Sequence, residues 1–336
     1  MKSLTVFGVL LAASVPAWAN DTSAVLTTGG LEFITNQDIV MESEELFISK
    51  DEIRVVYEFR NTGEVDQNIL VAFPMPDIVP NFWSPVAFPV GPDDNLFEFE
   101  TTFNGEPVEA TLYEYAYAFG VDRTKLLKQL GLPIVPISEA ASAATDALDD
   151  ETTAELLHLG LVTPDEFDQG QGWEKHFWPA WTYRATYTWE GNFPAGETVE
   201  VVHTYKPSVG GTVGVSFLSE PYEDYDPATE YATKYCTDEA FLDAVKATLT
   251  SPDEPYSAPF TESWISYILT TGGNWGGGAI AKFRLVVDKG STDNLVSFCG
   301  DDIKKIGPTT FEMVKTDFWP QKELDILIFE RRPADQ

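Results

Sequence analysis

Histidine occurs three times in 336 residues and cysteine twice. So few imidazoles leave little room for a Ser-His-acid triad or a histidine-rich metal site. His158, His176 and His203 are far apart, none lies in H-E-x-x-H, and no serine sits in G-x-S-x-G. Reading them as a helical, a loop and a strand residue, respectively, gives structural or surface roles rather than catalytic ones. Basic side chains are scarce too: 21 against 54 acids, for a net charge of −33. A surface of that sign repels nucleic acid and anionic lipid headgroups. Beyond the amino terminus no apolar run reaches the ~20 residues that a spanning helix needs. Internal repeats are lacking, which argues against propellers and solenoids.

The amino terminus has the three parts of a secretory signal. Met1 and Lys2 are followed by an apolar run from Leu4 to Val15, and Ala17-Trp18-Ala19 offers an A-x-A cleavage site. Cleavage after Ala19 removes one lysine and no acid, so a chain beginning at Asn20 carries −34. Residues 1–19 are therefore expected to be a signal peptide and the product periplasmic or secreted, with no stable membrane insertion. In an oxidising compartment Cys236 and Cys299 are expected to pair. Their spacing is unlike the C-x-x-C of a redox motif.

Strand signals dominate the rest. Segments Ile39–Ser49, Ile53–Arg60 and Asn68–Phe73 are rich in β-branched and aromatic residues with partial alternation. Six prolines between Pro74 and Pro92 exclude regular structure there. Leu96–Phe103 and Val108–Tyr117 flank Asn104-Gly105, a hairpin signal, with Phe97, Phe99 and Phe103 expected on one face. From Val121 to Gln169 the texture turns helical: Leu126, Leu127 and Leu130 are at helical spacing, Thr152 and Glu155 form a capping-box pattern, and Gly160 is a stop. Thr163-Pro164-Asp165-Glu166 repeats a helix-start signal. Trp181–Trp189 and Thr198–Tyr205 read as strands, Thr237–Leu249 as the one helix of the second half, and five more strands follow, from Trp264–Leu269 to Leu324–Phe329. The expected fold is mainly β, α+β overall: two packed β-sandwich-like units, 20–118 and 171–336, with a short helical insert at 119–170.

Leu70-Val71-Ala72-Phe73-Pro74-Met75-Pro76-Asp77-Ile78 and Leu295-Val296-Ser297-Phe298-Cys299-Gly300 resemble a family of exported bacterial proteins, the domain of unknown function numbered four thousand four hundred and twenty-four. The start Asn20-Asp21-Thr22-Ser23-Ala24 with Gly29-Gly30-Leu31, and the ending Leu324-Asp325-Ile326-Leu327-Ile328, fit the same pattern. The resemblance implies location and architecture and brings no reaction or site residues. A weaker likeness, to the N-terminal β domain of inter-α-inhibitor-type proteins, rests on Phe73 to Pro76, Asn104-Gly105, Thr124 to Leu130 and Pro194 to Val201, and implies a sandwich with an inserted helix.

Candidate binding features are few. Trp173, His176, Trp178 and Trp181, with Phe177 beside them and carboxylates such as Glu174 near, form the densest aromatic cluster; they either stack on sugar rings or fill the seam between insert and sandwich. Gly272-Gly273 and Gly276-Gly277-Gly278 around Trp275 read as a turn or close backbone packing, or as a ligand-gating loop. Acidic turns such as Glu223-Asp224-Tyr225-Asp226 read as solvated turns and no cofactor is expected; the alternative is oxygen ligation of Ca²⁺, although no EF-hand pattern is present. The sequence thus points to a non-enzymatic binding or scaffolding protein of the cell envelope, partnered by a protein or envelope component. A carbohydrate-active hydrolase or lectin and a calcium-dependent adhesion module are the alternatives.

Overall fold

The computed structural model describes residues 20–332 apart from 28–29, 81–85, 88–94, 169, 171, 213, 222–225, 250 and 252–256. The expected signal peptide, most of the proline-rich segment and most of the acidic turn at Glu223 lie outside the described residues. The chain runs through β1 (Thr22–Thr27), β2 (Gly30–Ile34), β3 (Ile39–Ile48), β4 (Ile53–Asn61), β5 (Gln67–Pro74) and a short β6 (Val86–Ala87). Then come β7 (Glu100–Phe103), β8 (Glu106–Val108), β9 (Thr111–Ala118), β10 (Val121–Asp122), α1 (Thr124–Gln129), α2 (Glu139–Asp146) and α3 (Asp150–His158). β11 (Val162–Asp168) and β12 (Trp173–Pro179) precede β13 (Thr182–Phe193), β14 (Thr198–Tyr205) and β15 (Val209–Thr212). After α4 (Pro227–Tyr235) and α5 (Glu239–Lys246) the chain closes with β16 (Phe260–Tyr267), β17 (Ile280–Asp288), β18 (Leu295–Phe298), β19 (Lys304–Lys305), β20 (Thr310–Phe318) and β21 (Leu324–Arg331).

The protein is mainly β with helices added. One sheet has the order β10-β9-β13-β5-β1-β2, a second β19-β20-β17-β3-β4-β14-β7-β8 and a third β18-β21-β16-β15-β6, while β11 and β12 pair only with each other. Strands from both sides of the helical insert share the eight-stranded sheet. Its β3–β17 contact is the one parallel pair among the described strands, and the long connection between them supplies the crossover that parallel pairing needs.

Alternation explains how the sheets face. In β4 the odd positions Ile53, Val55, Tyr57 and Phe59 are buried, and in β14 Val199, Val201, His203 and Tyr205 are. They meet Val71 and Phe73 of β5 and Tyr183, Tyr187 and Trp189 of β13 in one core, to which Ile265, Tyr267, Ile326 and Ile328 of the third sheet also belong. The opposite face of β21, through Leu327 and Phe329, packs with Phe217, Tyr231 and Val245 below α4 and α5. Leu127, Leu132, Ala141, Leu156 and Trp181 form a separate core under α1–α3.

Several local expectations are corrected. Thr163 to Glu166 belong to β11, because register pairing with β12 and its cross-strand rings outweighs a local start signal. Among the described residues the insert therefore holds three helices and two strands, β10 and β11, and His176 is on a strand rather than in a loop. Asp149, not Thr152, caps α3: its side chain accepts from the Thr152 N–H at 2.9 Å. The second half contains α4 as well as α5; its start signal is Asp226 before Pro227. Asn104 and Gly105 do turn the β7–β8 hairpin, both at positive φ (50° and 80°). Glu98, at φ 49°, breaks the expected strand ahead of β7, yet Phe97 and Phe99 lie in the main core and Phe103 packs against it. The run Val108–Tyr117 is divided between β8 in one sheet and β9 in another.

Cys236 and Cys299 are joined by a disulfide that ties the end of α4 to the residue after β18 across 63 positions. Closing a loop of that size constrains the unfolded chain. Reduction, or the double change Cys236→Ser and Cys299→Ser, is expected to lower the unfolding free energy by about 2–4 kcal/mol in denaturant titrations.

Candidate functional site

Three places bring polar or aromatic side chains together. The first is sealed inside the main core. Residues 20 and 21, just before β1, enter between the sheets, and Asn20, Asp21, Glu44, Tyr57, His203 and Tyr267 have essentially no exposed surface. Asn20 Nδ2 donates to Glu44 Oε2 at 3.1 Å and to the Leu269 carbonyl at 3.4 Å. Its Oδ1 accepts from the Tyr57 hydroxyl and from the Asp21 N–H. Tyr57 and Tyr267 hydroxyls lie 2.9 Å apart, and Tyr267 reaches Glu44 Oε1 at 3.4 Å. The Asp21 carboxyl meets His203 Nε2 at 3.1 and 3.2 Å, and the Trp275 indole donates to the Asp21 carbonyl at 2.6 Å.

Glu44 is turned inward by a register shift. Ile39 and Met41 are buried at odd positions; the β3–β4 pairing then slips between Met41 and Ser43, and Glu44, Leu46 and Ile48 are buried at even ones. Burial pushes the Glu44 carboxyl up to about 8, its Asn20 and Tyr267 hydrogen bonds opposing and Asp21 reinforcing the shift. Burial raises Asp21 too, against the pull of His203. A smaller sealed group holds Glu262, which accepts from Ser216 N and Oγ (2.6 and 2.8 Å) and the Tyr231 hydroxyl (2.7 Å).

The second place is an open cleft of about 750 Å³ beside the β7–β8 hairpin, within the range of small-molecule sites. Asn95, Phe99 and Tyr187 form its inner wall, the two rings stacked at 4.4 Å, with Thr101, Glu100 and Glu109 around them. No lysine or arginine is among the lining residues. Thr101 Oγ1 is buried without a hydrogen-bond partner, which costs free energy until a donor or acceptor arrives.

The third is the β11–β12 arm, which carries most of the aromatic cluster expected from sequence. His176 stacks on Phe167 at 4.2 Å, and Trp178 follows at 6.4 Å from Phe167. Asp146 of α2 holds the arm through His176 Nδ1 and the Phe177 N–H, each at 2.7 Å. Trp173 is 78% exposed near the arm's tip. Trp181 does not join the others: fully buried, it fills the seam below the helices and donates to the Ile134 carbonyl at 2.7 Å. Since His176 and Phe167 use their faces on each other, the ladder offers little flat ring surface to a sugar.

The glycine-rich segment is close packing. Gly276 N donates to the Ile39 carbonyl at 2.6 Å, and a Cβ there would stand 2.6 Å from the Gln37 carbonyl oxygen. This contact fixes Trp275 over Phe59 and Asp21. Among the described residues no three His, Cys, Asp or Glu side chains converge as a metal shell would, and no helix is long and apolar enough to cross a membrane.

A mainly β scaffold with added helices, an open cleft and an aromatic arm at the surface, and Asp21, His203 and Glu44 sealed inside, defines a class by architecture alone. The chain belongs to the family described as Domain of unknown function (DUF4424), whose profile matches residues 19–327. No curated protein matches the sequence significantly. Among solved structures it is similar to a Legionella pneumophila protein assigned provisionally as nutrient binding, with 16% identity, 93% of this chain and 70% of that one covered, and a TM-score of 0.45. It is similar more remotely to the M1 zinc metallopeptidase of Deinococcus radiodurans, with 8% identity, 88% and 43% covered, and a TM-score of 0.23. The chain spans less than half of that peptidase, and at these scores neither likeness bears on role.

The sequence marked the aromatic arm but missed Asp21, Glu44 and the Thr101 cleft. The signal for Glu44 was the apolar phase changing from odd to even within Ile39–Ile48. His203→Ala is expected to cost about 3–5 kcal/mol by leaving the buried Asp21 carboxyl without its partner, with His203→Gln less damaging; equilibrium unfolding of both variants measures the difference.

Proposed function

We propose that this is an exported protein of the cell envelope that works by non-covalent binding, and that the β7–β8 cleft seats its ligand. The observation that carries this reading is the contrast in access. Asp21–His203 and Glu44, the groups best suited to acid–base chemistry, are walled off, whereas Glu100, Glu109 and Asn95 line an open cleft, with the unpartnered Thr101 hydroxyl buried in its wall. A wall of acceptors with no lysine or arginine, on a protein of charge −33, favours a small organic cation with N–H and O–H donors. The disulfide is compatible with an oxidising compartment.

A thermal-shift screen of diamines and amino alcohols against their neutral N-acetyl analogues tests it. A ligand at about 100 times its Kd should add roughly 2.7 kcal/mol of stability. The double change Glu100→Gln and Glu109→Gln should abolish the response. A flat screen, or a shift that survives the double change, would sink this assignment.

A protein partner on the β11–β12 arm is a second reading, favoured by exposed Trp173. Pro164 and the carboxylates of Asp165, Glu166 and Asp168 disfavour strand addition along β11, so docking would be through side chains. A photo-crosslinking residue at position 173 should then trap one defined adduct in cells that a control at exposed Val314 does not; equal labelling at both positions would dismiss the arm.

A further inference from the structure

The sealed cluster at Asn20 holds two carboxyl groups and a single imidazole. Facing its centre are Glu44 from β3, Tyr57 from β4, His203 from β14, Tyr267 from β16, and Asp21 with Asn20 from the segment ahead of β1. Among the described residues, Asp21 makes its one ion pair with His203, and no lysine, arginine or histidine lies within ion-pair reach of Glu44. Glu44 has only neutral donors: the Asn20 amide and the Tyr267 hydroxyl. A buried carboxylate without a cation is expensive to maintain.

Asn20 is held as a docked group. Four hydrogen bonds fix its side chain, and Gly272 closes over it so tightly that a Cβ there would stand 2.9 Å from Asn20 Nδ2. Because the Asn20 amide reaches Glu44 Oε2 at 3.1 Å, the Asn20 backbone stands about one Asn side chain away from that carboxyl and next in sequence to Asp21. The bulge that turns Glu44 inward aims it at this point.

We propose that Asn20 is the amino terminus of the working protein and that its α-ammonium, released by hydrolysis of the Ala19–Asn20 bond, is the buried counter-charge of Glu44 and Asp21. Water adds across that peptide bond, leaving a carboxylate on Ala19 and an ammonium on Asn20. The enzyme required is an endoprotease that accepts small residues such as Ala17 and Ala19 before the scissile bond. Cutting there not only frees the chain from its leader; it completes the core. The inference rests on the export reading above and goes beyond it by giving the new terminus a structural task.

The charge account predicts opposite pH behaviour for cut and extended chains. Without the ammonium, the Glu44 carboxyl is raised in the folded state, so the stability it contributes is full below its unfolded value of 4.5 and is lost as pH rises towards about 8. With the ammonium beside it, ionised Glu44 is favoured and that loss is removed.

Three measurements on protein exported from the full-length gene, together with a version carrying one glycine before Asn20, decide the matter. Intact mass should place the start at Asn20. Reductive methylation should modify the α-amine of the native protein more than about tenfold more slowly than that of the unfolded chain, as for a group exposed only by opening. The glycine-extended protein should melt several degrees lower, with a midpoint that declines between pH 4.5 and 8, and Glu44→Gln should remove most of the difference between the two forms. Failure of the extended protein to fold, beside a folded cut form, counts for the proposal. A different start, or an uncut exported chain, overturns both it and the expected cleavage. A start at Asn20 with an amine that reacts as fast natively as when unfolded overturns the proposal alone, as does an extended form indistinguishable in midpoint and pH profile.

Discussion

The interaction on which the rest of the structure depends is the docking of Asn20 and Asp21 into the interior of a β sandwich. The segment ahead of β1 bonds directly to Glu44 of β3, Tyr57 of β4, His203 of β14, the Leu269 carbonyl after β16 and Trp275, so it ties its own sheet to the eight-stranded sheet and to the end of the middle strand of the five-stranded one. Polar groups in such a place give direction that apolar packing does not: a leucine fits many pockets approximately, whereas a carboxyl needs its donors at defined positions. The aromatic packing around His203, with Trp189 at 4.8 Å and Phe73 at 5.0 Å, excludes the water that would otherwise weaken those contacts.

That constraint also explains the topology. The third sheet meets the main core through Ile265, Tyr267, Ile326 and Ile328, while its reverse face is covered by α4 and α5 and braced by the disulfide. The parallel β3–β17 pair joins the two halves of the chain next to Glu44, so segments far apart in sequence meet at the polar core. The helical insert, with its own core around Trp181, stands apart from this arrangement and holds the arm through Asp146.

Much of the architecture was legible because alternation is a local property. Val199, Val201, His203 and Tyr205 place a histidine on the core face by counting alone, and Asn104-Gly105 names its hairpin because both residues tolerate positive φ. The misreadings occurred where tertiary pairing outvoted a local signal. Thr163 to Glu166 have the composition of a helix start but lie opposite Lys175 to Trp178, and the stacked rings decide the outcome. The apparent strand Val108–Tyr117 divides because its two ends belong to different sheets.

The sequence by itself determined the mainly β character, the strands with clean period two, the family and the scarcity of basic and imidazole groups, all of which follow from composition and near-neighbour order. Only the tertiary structure decided that Glu44 faces inward, that Asp21 meets His203 across 182 residues, that Thr101 borders a cleft and that Trp181 leaves its aromatic neighbours. Each of those depends on a bulge, a register or a sheet order, and these are fixed by contacts between segments far apart along the chain.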